Sequence, residues 1–340
     1  LYFMQSNGGL ADAHRFQGKD SILSGPAGGV VGAVETARNA GFERIIGFDM
    51  GGTSTDVSHF NGSFERAFET LVAGVRMRAP MMQIHTVAAG GGSILFFDGT
   101  KYRVGPESAG ANPGPAAYRR GGPLTVTDCN VMLGKLVPDF FPHVFGPNAD
   151  QPIDADIVKR KFTELAQRIE KETGDKRTPE QVAAGFLKIA VENMANAIKE
   201  ISIQRGYDVT EYVLNSFGGA GGQHACLVAD ALGMTKVFLH PLAGVLSAYG
   251  MGLADLRAIR ERAVELNLDD ASIPKAAAVL DEIAKDGVAE MRRQGVPEDR
   301  ITVHKRALVR YAGTDTPMLV AFADRAGIVK AFEAAHQQQY

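Results

Sequence analysis

Hydrophobic positions along the chain fall into two rhythms. Residues 45–48 form a short apolar run that ends at Asp49, and apolar positions resume at Val57 after Met50-Gly51-Gly52-Thr53-Ser54-Thr55-Asp56. A run of that length bounded by glycines predicts a buried strand, a tight turn and a second strand. An Asn-Gly turn follows within 60–64, and strands are predicted to alternate from Phe64 to about Arg78. Residues 81–89 read as a strand running into Gly90-Gly91-Gly92-Ser93, and 94–104 as a hairpin turning through Asp98-Gly99. Residues 105–115 form an ordered proline- and glycine-rich loop, and 125–134 a helix capped by Thr127 or Asp128.

After a surface connection over 138–150 the spacing becomes helical. Ile157, Phe162, Leu165 and Ile169 mark an amphipathic helix over 154–173. Thr178-Pro179 starts a second, running to about Gln204, whose polar face is narrow enough to require burial. Strands are expected over 211–217 and 236–241, with a glycine turn and a helix through Asp230 between them. Beyond Asp255 the texture changes: a charged helix over 273–294, strands at 301–303, 307–311 and 318–322, and a helix over 326–340 that stops without a cap and reads as a truncated end. Two further stretches, 24–34 and 244–252, consist of small residues. The first leads into a helix ended by Gly41. Small residues let another backbone approach closely, which serves either a sliding contact between lobes or a tightly packed core helix.

A chain of 340 residues is long enough for two domains, and 45% apolar residues is a globular composition. A net charge of −3 gives no electrostatic pull towards nucleic acid or a membrane surface. No apolar run has the length of a membrane span. Two distant cysteines, Cys129 and Cys226, make no disulfide framework; they suit a reducing, cytoplasmic setting and read as small buried hydrophobes. Residues 1–8 resemble the scar of an expression tag and are expected to lie outside the fold.

The chemistry concentrates in the first turn. Gly51 and Gly52 leave backbone N–H groups open to an anion, and Thr53, Ser54 and Thr55 add hydroxyl donors. Asp49 and Asp56 bracket them with carboxylates, which suit a hard cation bridging phosphates. Asp56 serves either that cation or the turn itself. A second glycine turn, Gly218-Gly219-Ala220-Gly221-Gly222, lies between a strand and a helix, the usual setting for anion binding. It has neither the dinucleotide spacing nor the Lys-Ser/Thr of a Walker loop. The triple glycine at 90–92 offers one more place for backbone to meet a ligand.

The order of small-residue helix, acid-Gly-Gly-Thr turn, glycine turn and second small-residue helix resembles the actin-like ATPase fold, built from ribonuclease-H-like lobes. More narrowly, 48–56, 88–93, 104–110 with Pro113-Gly114-Pro115, 216–225 and 246–255 resemble the hydantoinase A/5-oxoprolinase family, over about 20–340. Gly222-Gln223-His224 and Tyr311-Ala312-Gly313-Thr314-Asp315-Thr316 look like its 5-oxoprolinase branch. The resemblance implies an α/β architecture: an ATPase domain over 9–255 with a helical segment at about 151–205, and the start of a smaller α+β domain over 256–340. It implies ATP and Mg2+ as cofactors and a small cyclic amide as substrate, opened with ATP cleavage through a phosphorylated lactam. The alternatives are an ATP-dependent N-methylhydantoinase, an acetone carboxylase-like subunit and a non-catalytic nucleotide-binding module.

The family also carries an earlier phosphate loop in a first lobe, and a B-type partner region. Neither is found here, so this chain is expected to be one jaw of a larger, homo-oligomeric enzyme and to be inactive alone. On that basis Asp49 holds Mg2+; Gly51, Gly52, Thr53, Ser54 and Thr55 cradle the β- and γ-phosphates; Gly218, Gly219, Ala220 and Gly221 face adenosine and the α-phosphate. Asp56 stands beside Asp49 as a catalytic candidate. His85, Ser93, Glu107 and Asn112 are candidates for the substrate side, set against a purely structural role for each. His224 is expected to hydrogen-bond at a helix start, and Asp315 to serve either a turn or a partner contact.

Overall fold

A computed structural model describes residues 1–72 and 74–340; Ala73, within the predicted 64–78 strands, lies outside the described residues. The chain opens with an antiparallel pair, β1 (Tyr2–Met4) and β2 (Leu10–Asp12), then α1 (Ser24–Asn39), β3 (Arg44–Met50) and β4 (Thr55–Asn61). Four short strands follow: β5 (Arg66–Ala67), β6 (Thr70–Val72), β7 (Val75–Met77) and β8 (Met81–Met82). Next come β9 (Ile84–Val87), the hairpin of β10 (Ser93–Phe97) and β11 (Tyr102–Ser108), and helices α2 (Val126–Met132), α3 (Ala155–Thr173) and α4 (Pro179–Ile201). β12 (Val213–Phe217), α5 (Ala225–Leu232), β13 (Val237–Phe238) and α6 (Leu246–Leu253) complete the large region. The last stretch holds α7 (Ser272–Arg293), β14 (Arg306–Val309), β15 (Met318–Ala321) and α8 (Arg325–Gln339).

The architecture is mixed α/β. Its centre is a five-stranded sheet in the order β13-β12-β3-β4-β9. β13, β12 and β3 run parallel, while β4 and β9 are antiparallel to their neighbours. Side chains alternate between the two faces of a strand, and β3 uses this fully. Ile46, Phe48 and Met50 enter a core with Phe162, Phe186, Met194 and Ile198 of α3 and α4. Ile45 points the other way, towards Val30, Val31 and Val34 of α1.

On that second face the two small-residue stretches meet: α1, largely buried, packs closely against α6, of which Leu246 and Gly250 are buried and Ala248, Tyr249 and Gly252 exposed. A Cβ on Gly250 would lie 2.0 Å from the Gly28 carbonyl oxygen and 2.5 Å from the Gly32 nitrogen, and one on Gly32 would lie 2.6 Å from the Leu246 carbonyl. Only glycine allows two helix backbones this close. On the opposite side α4 starts with the predicted Thr178 cap, reciprocated by Gln181, and α3 with Asp154 accepting from the N–H groups of Asp156 and Ile157.

Several expectations change. Residues 1–8 are packed into the fold: β1 pairs with β2, and Met4, Ser6 and Asn7 are buried. The cap of α2 is Thr125, and Asp128 completes its capping box while accepting from the N–H groups of Ala116 and Ala117. Cys129 is buried but Cys226 is exposed on α5. Residues 301–303 form no strand, and Val303 is exposed. The 236–241 strand contracts to β13, and α4 stops at Ile201 before a single 3-10 turn. The terminal stretch has its own small core of Met318, Val320, Ile328 and Phe332. Among the described residues no helix is long and apolar enough to cross a membrane.

Candidate functional site

β3 and β12 run parallel with Asp49 beside Phe217, so both glycine turns emerge together at the C-terminal ends of adjacent strands. Open α/β sheets leave their ligand crevice there. The first turn closes by a hydrogen bond from the Gly51 N–H to the Ser54 carbonyl. In the second, Gly218 takes a φ of +82° and donates its N–H to Ala243, while Ala220 donates to Met50. A side chain at Gly218 would collide with Asp49 Oδ1 at 2.4 Å and the Met50 carbonyl at 2.5 Å. Gly52 and Gly219, by contrast, face open space, with nothing within 4 Å of a built Cβ. The two turns therefore lean on each other and leave a glycine-lined, solvent-facing surface. Gly52 and Thr53 are exposed there, Gly51 and Ser54 half-buried.

Asp49 and Asp56 are directly opposite in the β3–β4 register and so share one face. Burial, and then the like charge of Asp56, push the Asp49 carboxyl from 3.8 up to about 6, partly offset by a hydrogen bond from Ser247. Asp56 is held by Thr86, whose hydroxyl donates to Oδ1 at 2.6 Å. Two carboxylates forced side by side next to open backbone donors are destabilised by each other and relieved by a cation. Among the described residues no three His, Cys, Asp or Glu side chains gather as a cage. One or two carboxylates with phosphate oxygens is how Mg2+ is usually held, and the residues present fit that arrangement.

Other predicted residues are placed elsewhere. Thr55 is fully buried and spends its hydroxyl on the Ala89 carbonyl, at 2.5 Å, so it anchors the turn from beneath. The triple glycine does not offer free donors. Gly90 donates to Ser93 Oγ, Gly91 to the Gly51 carbonyl and Gly92 to the Gly52 carbonyl. A Cβ on Gly90 would lie 2.6 Å from the Thr53 carbonyl carbon. These glycines form a platform on which the 51–54 turn rests, and Ser93 is a buried part of it. His85 pairs with Val57 and its Nε2 lies 3.4 Å from Glu200, which puts it on the α4 face, opposite Asp56.

Glu107 is exposed near the end of β11 and Asn112 on the loop that follows, which is tied to the platform by the bond from Ala109 to Gly92. Asp315 is exposed in the terminal stretch, 3.7 Å from Arg310. His224 does sit at the helix start. It is fully buried, with Nε2 3.1 Å from the Asn130 side-chain nitrogen, and burial, then the charge of Lys135, lowers its pKa to about 4. It therefore stays neutral and receives a hydrogen bond from Asn130. Sequence reasoning missed Thr86 and Ser247, because a lone hydroxyl carries no local signature.

Fold and site together define an α/β protein whose two glycine turns emerge side by side at the ends of adjacent parallel strands, bordered by a carboxylate pair. The chain belongs to the hydantoinase/oxoprolinase family, whose pattern matches residues 1–260. It is 44% identical to the 5-oxoprolinase of Saccharomyces cerevisiae over 345 residues, covering all of this chain and 27% of that protein. It is 43% identical to 5-oxoprolinase 1 of Arabidopsis thaliana, over 94% of this chain and 26% of the relative. The structure of the ATP-dependent caprolactamase from Pseudomonas jessenii superposes with a TM-score of 0.87 at 29% identity, covering the whole chain and 50% of that one. The chain thus spans about a quarter of the length of these 5-oxoprolinases.

Proposed function

We propose that this chain supplies one phosphate-gripping jaw of an ATP-dependent enzyme that opens a cyclic amide, with 5-oxo-L-proline converted to L-glutamate as the reaction. The observation that carries this is the Asp49/Asp56 pair, in register across a glycine turn whose outer face is open. A lactam is a poor electrophile; transfer of the ATP γ-phosphoryl group to its oxygen releases ADP and activates the carbonyl carbon, so that one water adds there and the ring C–N bond breaks, and a second water releases inorganic phosphate from the resulting acyl phosphate. The chain's own task is positioning and charge neutralisation. Asp49, with Asp56 beside it, would hold Mg2+; Gly51, Gly52, Thr53 and Ser54 would face the terminal phosphates. Gly219 and its neighbours Gly218, Ala220 and Gly221 would face the rest of the nucleotide. Bound Mg2+ would supply charge neutralisation between the phosphates.

Identities of 44% to a named 5-oxoprolinase, against 32% to the caprolactamase subunit alpha, favour 5-oxoproline over a larger lactam. The mixed sheet, with its phosphate turn joining β3 and β4, supports the reading of 9–255 as a ribonuclease-H-like lobe of an actin-like ATPase, with 256–340 beginning a separate α+β unit. The second jaw and the B-type region would come from outside these residues. The test is 5-oxoproline-dependent ADP release by the complete gene product. Asp49→Ala is expected to abolish it, and the 340 residues alone to show no turnover. Full activity in Asp49→Ala, or ATP cleavage indifferent to 5-oxoproline, would overturn the proposal.

A further inference from the structure

The Asp49 carboxylate lies next to two groups outside the 51–54 turn. Oδ1 abuts Gly218, where a Cβ would come within 2.4 Å. On the other side, a Cβ built on Gly29 would lie 2.9 Å from Ser247 Oγ and 3.4 Å from Asp49 Oδ2, so hydroxyl and carboxylate share the small space above that glycine. Gly29 belongs to α1 and Ser247 to the first turn of α6. What brings them there is the crossing of the two helices: Ser247's own carbonyl would lie 2.7 Å from a Cβ on Gly28, and Gly250, one turn on, rides on the backbone of Gly28 and Gly32.

The terminal torsion of an aspartate is broad, so its carboxylate has no preferred twist unless a neighbour sets it. Among the described residues the α6 side chains with hydroxyls are Ser247 and Tyr249, and Tyr249 is exposed and stacks on His240. We propose that Ser247 is a positioning residue for Asp49, its hydroxyl fixing which carboxylate oxygen faces the phosphate turn. Partners that orient a metal-holding carboxylate are worth about ten- to a hundredfold in metal affinity or activity.

This inference rests on Asp49 holding the metal of a metal–nucleotide, and its test separates the two ideas. Mg2+·ADP binding to the complete gene product is measured by calorimetry for wild type, Ser247→Ala, Ser247→Thr and Asp49→Ala, with melting temperatures alongside. Ser247→Ala is expected to bind about tenfold more weakly at an unchanged melting temperature. Ser247→Thr, which keeps the hydroxyl, is expected to bind nearer to wild type. Unchanged binding in Ser247→Ala with loss in Asp49→Ala overturns the role of Ser247 alone. Weakened binding accompanied by a fall in melting temperature makes Ser247 structural and overturns it too. Unchanged binding in both variants overturns the site itself.

Discussion

The two faces of the central sheet are built on opposite plans. On the α4 face Phe48, Phe162, Phe186 and Met194 are all fully buried, and the elements are held apart by large side chains. On the α1 face Gly28, Gly32 and Gly250 bring backbone against backbone. Burying large apolar groups supplies most of the stabilisation, about 1.5–3 kcal/mol for each such side chain. Close backbone approach adds little burial per residue but fixes relative positions with almost no side-chain freedom. Strand β3 divides its residues accordingly. Phe48 and Met50 serve the first face, while Asp49, between them in sequence, emerges on the second. The difference teaches that stability and geometric precision can be assigned to alternate residues of one strand.

The sharpest way to break this comparison is to add a side chain where the α1 face has none. Gly250→Val puts a Cβ 2.0 Å from a main-chain oxygen that cannot move aside. A loss of about 4 kcal/mol or more is expected, read as failure to recover folded protein or as a collapsed denaturation midpoint. Gly252, two residues on, faces open space, so Gly252→Ala should be neutral or stabilising by up to about 1 kcal/mol. Equal stability of the two variants would end the argument for a backbone-tight crossing. Next in size is Phe186→Ala on the large-residue face, expected to cost about 3–5 kcal/mol in denaturant titration. The folded fraction should bind Mg2+·ADP as wild type does, because the cavity opens on the face away from Asp49.

How much of this was legible beforehand follows the same division. The strand, turn and strand around Asp49 was readable because all its determinants are local: an apolar run, two glycines and two flanking acids. The helices α3 and α4 were readable because Ile157, Phe162 and Ile169, and then Phe186, Met194 and Ile198, repeat at helical spacing. The partnership of α1 with α6 was not, since no rule of spacing links Gly28 to Gly250. The triple glycine was misread for a related reason: its composition shows that backbone comes close to something, but not that the something is the neighbouring turn. His85 and Thr86 were told apart only by register, which places Thr86 opposite Asp56 and His85 opposite Val57. A shift of one residue would have exchanged them.

A third prediction concerns pH and the α4 face. His224 is buried and neutral, its pKa lowered from 6.5 to about 4. Above pH 6.5 it is uncharged in both folded and unfolded chains and costs nothing. As pH falls through 6.5 towards 4 the unfolded chain takes up the proton and the folded one does not, so stability is lost, by up to about 3 kcal/mol over that window. His224→Gln should flatten the acid side of a plot of unfolding free energy against pH. An unchanged slope between pH 6.5 and 4 would mean that another group governs acid loss.

The smallest effect is expected at His85, and its smallness is informative. By residue type His85 is an attractive acid–base group, but the β4–β9 register puts it on the stabilising face, with exposed Glu200 as its partner at 3.4 Å. A half-exposed pair of this kind contributes at most about 1 kcal/mol. His85→Ala in the complete gene product should therefore leave the turnover rate for 5-oxoproline unchanged and shift the denaturation midpoint only slightly. Thr86→Val, one residue along, removes the hydroxyl that holds Asp56 and should weaken Mg2+·ADP binding instead. If the order were reversed, with His85→Ala impairing turnover and Thr86→Val silent, the register would be displaced by one residue. The chemistry would then lie on the α4 face, and the division of labour along β3 would fail with it.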